Sequence, residues 1–155
     1  MKRAVVLILL FGTLPAGGRA DDRPKLSKLE QEILDRTNAE RTKAGLKPLK
    51  IEAKLVQAAR DHSANMAKQE KLEHELDDKT PADRVKAAGY KFQSLAENIA
   101  YGPRTGAEVV KGWMKSEGHR TNLLGPDYVE IGIGVATDKE GRPYYTQVFG
   151  KPWPR

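Results

Sequence analysis

Apolar and polar positions follow two different periods along the chain, which predicts a mixture of helices and strands. Apolar residues recur at helical spacing from about Ser27 to Lys43, where Gly45 is a plausible stop, and again from Glu52 to about Gln69. A third helical pattern opens at Thr105 or Gly106. Its apolar face comprises Val109, Val110, Trp113 and Met114.

The remaining pattern predicts one short helix and a β-hairpin. Thr80 to Asp83 has a capping residue, a proline at the first helical position and an acid three residues after the cap, so it begins a helix that Gly89 ends. The stretch from Gly89 to Pro103 is irregular, with a short strand or extended segment from Leu95 to Gly102. Strict alternation from Val129 to Val135 and from Tyr144 to Phe149, around a turn at Asp138 to Gly141, predicts a hairpin. Its glycines Gly132 and Gly134 let a helix pack closely.

The first twenty residues have the composition of a secretory signal peptide. Lys2 and Arg3 precede an apolar run from Ala4 to Leu14, and small residues end the segment at Ala20, where we expect cleavage. The run is too short to span a bilayer permanently, and no second one follows, so we expect no transmembrane segment after cleavage. The protein is therefore predicted to be secreted, either extracellular or periplasmic, and the chain has no cysteine for disulfides there.

The length and charge of residues 21–155 predict one domain and argue against nucleic-acid binding. The expected signal peptide carries Lys2, Arg3, Arg19 and no acid, so its removal lowers the net charge from +6 to +3. Basic residues are scattered among acids, without a basic stripe interleaved with aromatics. We expect a monomer with its core at about residues 29–149.

The segment from Trp113 to Leu124 is too polar for core packing alone. We expect a helix to end there and the chain to extend through Gly118, so that Glu117 and His119 lie on one side. His62, by contrast, lies in the apolar stripe of the second helix, where a histidine is more often a hydrogen-bonded core residue than a ligand.

Candidate chemistry rests on two histidines in polar surroundings, His74 and His119, together with Glu97 and Glu117. Imidazole and carboxylate are a ligand set that zinc accepts. Without a metal, the same groups form hydrogen-bonded acid and imidazole pairs. The spacing alone leaves both alternatives open, and it matches no short ligand motif. The sequence contains neither a cysteine nor a G-x-S-x-G nucleophile motif.

Several motifs, in order, resemble the CAP superfamily of cysteine-rich secretory, antigen and pathogenesis-related proteins, and more closely its cysteine-free bacterial SCP-like branch. They are His74, A-E-N-I-A-Y-G from Ala96 to Gly102, W-x-x-S-x-G-H-R-x-N-L-L from Trp113 to Leu124, E-I-G-I-G-V-A from Glu130 to Ala136, and Y-Y-T-Q-V-F from Tyr144 to Phe149. The resemblance implies an α/β fold, a three-layer α/β/α sandwich with a small, mostly antiparallel sheet and a large cleft.

The same resemblance implies a cleft lined by two histidines and two glutamates, which bind zinc or another divalent ion in some members. His74, Glu97 and His119 match three of these positions by motif. The eukaryotic second glutamate falls on Ser116, which leaves Glu117 as either the fourth cleft residue or an exposed side chain.

Three hypotheses of function follow. The first, which we favour, is a secreted non-enzymatic binding module whose cleft binds an extracellular lipid, peptide or glycan, with or without a divalent ion such as Zn²⁺. The alternative is a metal-dependent, peptidase-like hydrolase acting on peptides or cell-envelope polymers, with Glu97 or Glu117 as general base. In the third, the four groups form a structural hydrogen-bond network. Fold alone does not decide among them.

Overall fold

The computed structural model describes residues 24–154, which form five helices and four strands. In chain order these are α1 (Lys28–Lys43), β1 (Lys50–Ile51), α2 (Ala53–Gln69), α3 (Pro81–Ala87), β2 (Phe92–Tyr101), α4 (Gly106–Lys115), α5 (Glu117–Leu123), β3 (Glu130–Thr137) and β4 (Pro143–Pro152). The predicted signal peptide, residues 1–20, lies outside the described residues. Among residues 24–154 no helix has both the length and the apolar character needed to cross a membrane.

The four strands form one sheet in the order β1-β3-β4-β2, with helices on both faces. β1 runs parallel to β3, whereas the β3/β4 and β2/β4 pairs are antiparallel. The helices α2 and α3 cover one face, and α1, α4 and α5 cover the other. This is the three-layer α/β/α sandwich with a mostly antiparallel sheet that the motifs implied.

Each face of the sheet buries its own apolar core. The alternation along β3 and β4 sends successive side chains to opposite faces, so one hairpin supplies both cores. The core under α1, α4 and α5 includes Ile33, Val110, Trp113, Leu123, Ile133 and Phe149. The cores under α2 and α3 include Leu55, Ala59, Val85, Met66, Ile99 and Val148.

The glycines of β3 allow α2 to approach the sheet closely, as predicted. A Cβ atom at Gly132 would lie 2.0 Å from the backbone carbon of Leu55, and one at Gly134 would lie 2.3 Å from that of Ala59. Any side chain at either position would therefore push α2 away from the sheet.

Local capping explains why three helices begin where the sequence predicts. Ser27, Thr80 and Thr105 each form a capping box with an acid three residues later. Gly45, just after the end of α1, has φ = 75°, which a glycine adopts without strain.

Three elements differ from the sequence-based expectations. β1 lies between the first two predicted helices, where the sequence pattern indicates no strand, because its two residues only complete the edge next to β3. β2 begins at Phe92, before the predicted Leu95, because pairing with β4 orders the first residues. The chain does not extend through Gly118: Ser116 interrupts the helix, and α5 begins at Glu117.

Candidate functional site

A buried carboxylate, Glu97, is the centre of the candidate site. It lies in the middle of β2, opposite Val148, and faces the layer formed by α2 and α3. Its side chain is only 2% exposed. A buried carboxylate destabilises a fold unless charged or hydrogen-bonding partners offset the loss of water, and Glu97 has two such partners.

The first partner is Arg84, on α3. Its Nη2 donates to Glu97 Oε2 at 2.7 Å, and its Nη1 donates to the carbonyl of Lys79 at 2.8 Å. The capping box at Thr80 begins α3 only four residues earlier, so the position of the guanidinium follows from the start of the helix. Arg84 is itself mostly buried, which makes the pair an internal ion pair.

The second partner is His74, in the loop between α2 and α3. Its Nδ1 lies 2.9 Å from Glu97 Oε1. A carboxylate only accepts hydrogen bonds, so Nδ1 carries the proton and donates. The imidazole is half exposed, with its side chain 51% accessible. Glu97 thus fixes the orientation of His74 and leaves Nε2 for another partner, as carboxylates do for imidazoles in catalytic and metal sites.

His62 lies behind this pair and holds the loop in place. It is buried, its Nε2 donates to the carbonyl of Glu73 at 3.0 Å, and it lies 3.8 Å from Glu97 Oε1. The prediction of a hydrogen-bonded core histidine is confirmed. Burial lowers the pKa of His62 to about 4, although the Glu97 charge opposes the shift, so the ring is neutral at pH 7.

The second predicted histidine, His119, approaches from α5, which packs along the outer edge of β2. Asn98 Nδ2 donates to the His119 carbonyl at 3.0 Å, and Asn122 Nδ2 donates to the Glu97 carbonyl at 3.2 Å. Partial burial, and then the charge of nearby His74, lower the pKa of His119. His74 and His119 therefore approach β2 from opposite faces of the sheet.

Glu117 is not brought into this group. Because α5 is helical from Glu117 onward, two residues correspond to roughly 200° around the axis, and the side chains of Glu117 and His119 diverge. Glu117 is exposed in the first turn of α5, where an acid favours the helix dipole.

Polar residues that the sequence analysis did not single out complete the site. Asn98 contacts both Asn122, at 3.0 Å, and Gln147, at 3.3 Å, and Gln147 donates to Thr37 on α1 at 2.7 Å. This buried chain joins β2, β4, α5 and α1. The asparagine that follows Glu97 in the A-E-N motif, and the one in R-x-N-L-L, were the available signals for it.

The donor set determines how a metal ion would fit. Among residues 24–154, no group of three or more histidine, aspartate or glutamate side chains is arranged to hold one. Both Glu97 oxygens already accept hydrogen bonds from Arg84 and His74. A site with three or four protein ligands therefore does not fit, which leaves His74 Nε2 and His119 as donors.

A cavity of about 450 Å³ lies between α2 and α3 on the side of Arg84. His62 and Arg84 line it, together with the polar residues Asp61, Asn65 and Lys79. Its size is within the range of small-molecule sites.

Comparison with known proteins gives consistent matches. The CAP model, of the cysteine-rich secretory protein family, matches residues 34–149. YkwD of Bacillus subtilis (strain 168) is 40% identical over 127 residues, which are 81% of this chain and 49% of YkwD. The chain therefore spans about half the length of that relative.

Solved structures of similar proteins have the same fold. An extracellular SCP-domain protein of Bacillus anthracis strain Ames matches with a TM-score of 0.73 and 32% identity, over 79% of this chain and 40% of its own. An outer surface protein of Borrelia burgdorferi matches with a TM-score of 0.76 over 83% and 97% of the two chains. Its 24% identity supports the fold alone.

Proposed function

We propose, from the premise that this chain belongs to the cysteine-rich secretory protein (CAP) family, that it is a non-enzymatic binding module acting outside the cytoplasm. His74 and His119 form its recognition site for the polar group of a lipid, peptide or glycan. The positively charged start and apolar run of the sequence support export, and the Bacillus anthracis relative is described as extracellular.

One observation carries the proposal: Glu97, paired with Arg84, holds the Nδ1 of a half-exposed His74. A neutral His74 accepts a hydrogen bond at Nε2 from a ligand N–H or O–H. The lowered pKa of His119 supplies a second neutral imidazole at pH 7.

The hydrolase alternative requires a carboxylate that is free to act as a general base. The two oxygens of Glu97 accept hydrogen bonds from Arg84 and His74, and Glu117 diverges from His119 along α5. These contacts favour binding over catalysis.

The binding of zinc or another divalent ion stays a prediction. The ion would be held by His74 and His119, with Glu97 orienting His74, and would supply a positive charge for a polar ligand group.

The test is a thermal-stability screen of the purified protein with four probes: Zn²⁺, dodecanoate, tetra-alanine and N-acetylchitotetraose. A probe present at about one hundred times its Kd should raise the Tm by about 8 °C. A His74→Gln, His119→Gln double variant should lose the rise, and Glu117→Gln should keep it. If no probe stabilises the protein, or if the double variant responds like the wild type, the proposed site is wrong. Release of peptide or sugar products would favour the hydrolase.

A further inference from the structure

A second groove lies at the end of the sheet where β2 begins, roughly 13 Å along that strand from Glu97. It has a volume of about 720 Å³ and is formed by the starts of α2, β2 and β3 and the end of β4. We call it the Trp153 groove and define it by Glu52, Lys54, Lys91, Gln93, Glu130 and Trp153. Two exposed apolar side chains line it, Val129 at 48% and Trp153 at 58%.

Trp153 is held in place although its ring is open to solvent. Pro152 fixes the backbone before it, and Pro154 restricts Trp153 itself to extended conformations. The Trp153 amide also donates to the Lys91 carbonyl at 3.2 Å, which continues the pairing of β2 with β4. An exposed aromatic ring on a fixed backbone loses little conformational entropy when it binds.

The rim of the groove mixes hydrogen-bond donors with acceptors. Glu130 accepts from the Tyr90 hydroxyl through one oxygen, at 2.6 Å, and Glu52 accepts from the Lys54 amide through one oxygen. Each carboxylate keeps a second oxygen for a ligand. Lys91, the Gln93 amide and Lys54, whose Nζ already donates to the Gly89 carbonyl at 3.0 Å, add donors, so the groove offers both acceptors and donors beside the tryptophan.

We propose that the Trp153 groove binds a neutral oligosaccharide. The faces of a pyranose ring carry C–H groups, which pack on the negative face of an aromatic ring. Its hydroxyl groups both donate and accept, which satisfies the carboxylates and the ammonium groups of the rim together.

Two other classes of ligand match the groove less well. A proline-rich peptide lacks backbone N–H donors, so it would cover the second oxygen of Glu52 and of Glu130 without offering either a hydrogen bond. An anionic polymer would be repelled by both of these carboxylates. Lys151 also lines the groove, beside Lys54 and Lys91, but it is already paired with Asp127 at 3.1 Å. The groove shares no residue with the His74 site, so the inference stands whether or not the proposed function holds.

Calorimetric titration of the full chain tests the inference. The neutral probes are N-acetylchitotetraose, cellotetraose and maltotetraose, and the competing probes are a heparin tetrasaccharide and a decaproline peptide. We expect at least one neutral probe to bind with a Kd of about 1 mM or tighter. Trp153→Ala should weaken that binding about tenfold or more, whereas Trp153→Phe, which keeps an aromatic ring, should stay within about threefold.

Tyr101→Ala is the matched control, because Tyr101 is an aromatic residue 52% exposed at the other end of β2. It should bind the neutral probe as the wild type does. The inference is overturned if no neutral probe binds, if heparin or decaproline binds more tightly than every neutral probe, or if Trp153→Ala and Tyr101→Ala behave alike.

Discussion

Replacing Arg84 by methionine removes the guanidinium that contacts Glu97 and keeps a side chain of similar length. Glu97 and Arg84 are 2% and 10% exposed, so the substitution leaves a carboxylate in the protein interior without its main partner. Breaking such a pair from one side typically destabilises a protein by about 3–5 kcal/mol. Because His74 still donates to the other oxygen at 2.9 Å, we expect the lower end, about 3 kcal/mol.

Urea unfolding at pH 7 measures this change, and in a thermal scan it corresponds to a Tm lower by roughly 9 °C. Arg36→Met is the matched control. The Arg36 side chain is 59% exposed and lies 4.0 Å from Glu32, so its loss should change stability by about 0.5 kcal/mol or less.

A double variant separates the pair from its surroundings. The double variant Arg84→Met, Glu97→Gln should lose less unfolding free energy than the two single variants lose in sum. We expect a difference of about 1.5 kcal/mol or more, because a neutral amide no longer needs the guanidinium. Additive single effects, or a loss below about 1 kcal/mol for Arg84→Met, would refute the view that this ion pair organises the site.

Three further predictions test the fold and its buried charges. Gly132→Ala should destabilise by about 2 kcal/mol or more in urea unfolding, since its Cβ would overlap Leu55, whereas Gly112→Ala, with nothing within 4 Å, should be neutral or stabilising. Arg41→Met should lower the unfolding free energy by about 3 kcal/mol, because buried Arg41 donates to four backbone carbonyls; an unchanged urea midpoint would contradict this. The pKa of His62 is lowered to about 4, so its neutral ring gives its full stabilising contribution above about pH 6.5. Because the unfolded chain takes up a proton at His62 before the folded one does, the unfolding free energy should fall by roughly 3 kcal/mol between pH 6.5 and pH 4. In His62→Gln, urea midpoints measured across this range should lack that part of the pH dependence.

The sequence predicts the long elements and the layers well, for a local reason. Capping boxes begin α1, α3 and α4, apolar stripes define their buried faces, and alternation defines the β3/β4 hairpin. Each of these signals lies within a few residues of the element that it specifies. The small residues Gly132 and Gly134 even indicated which strand a helix would cross closely.

The site was only partly predictable, because its contacts join distant parts of the chain. Motif order identified His74, Glu97 and His119, but nothing near Arg84 in the sequence marks it as the partner of a carboxylate thirteen residues away. The error at Gly118 has a physical cause. Two short helices meet at Ser116, and a glycine inside a seven-residue helix resembles a helix end. Because the helix continues through Gly118, Glu117 and His119 point to different sides of α5.

The most direct test of the central claim is the long-range ¹H–¹⁵N spectrum of the histidine rings at pH 7, recorded while the probe that stabilises the protein is added. The account predicts His74 with its proton on Nδ1 in the neutral state, and a neutral His62 protonated on Nε2. The ring ¹⁵N chemical shifts of His74 and His119 should change with added probe until they saturate, while those of His62 stay constant. A neutral His74 with its proton on Nε2, or a bound ligand that leaves both rings unperturbed, would contradict it.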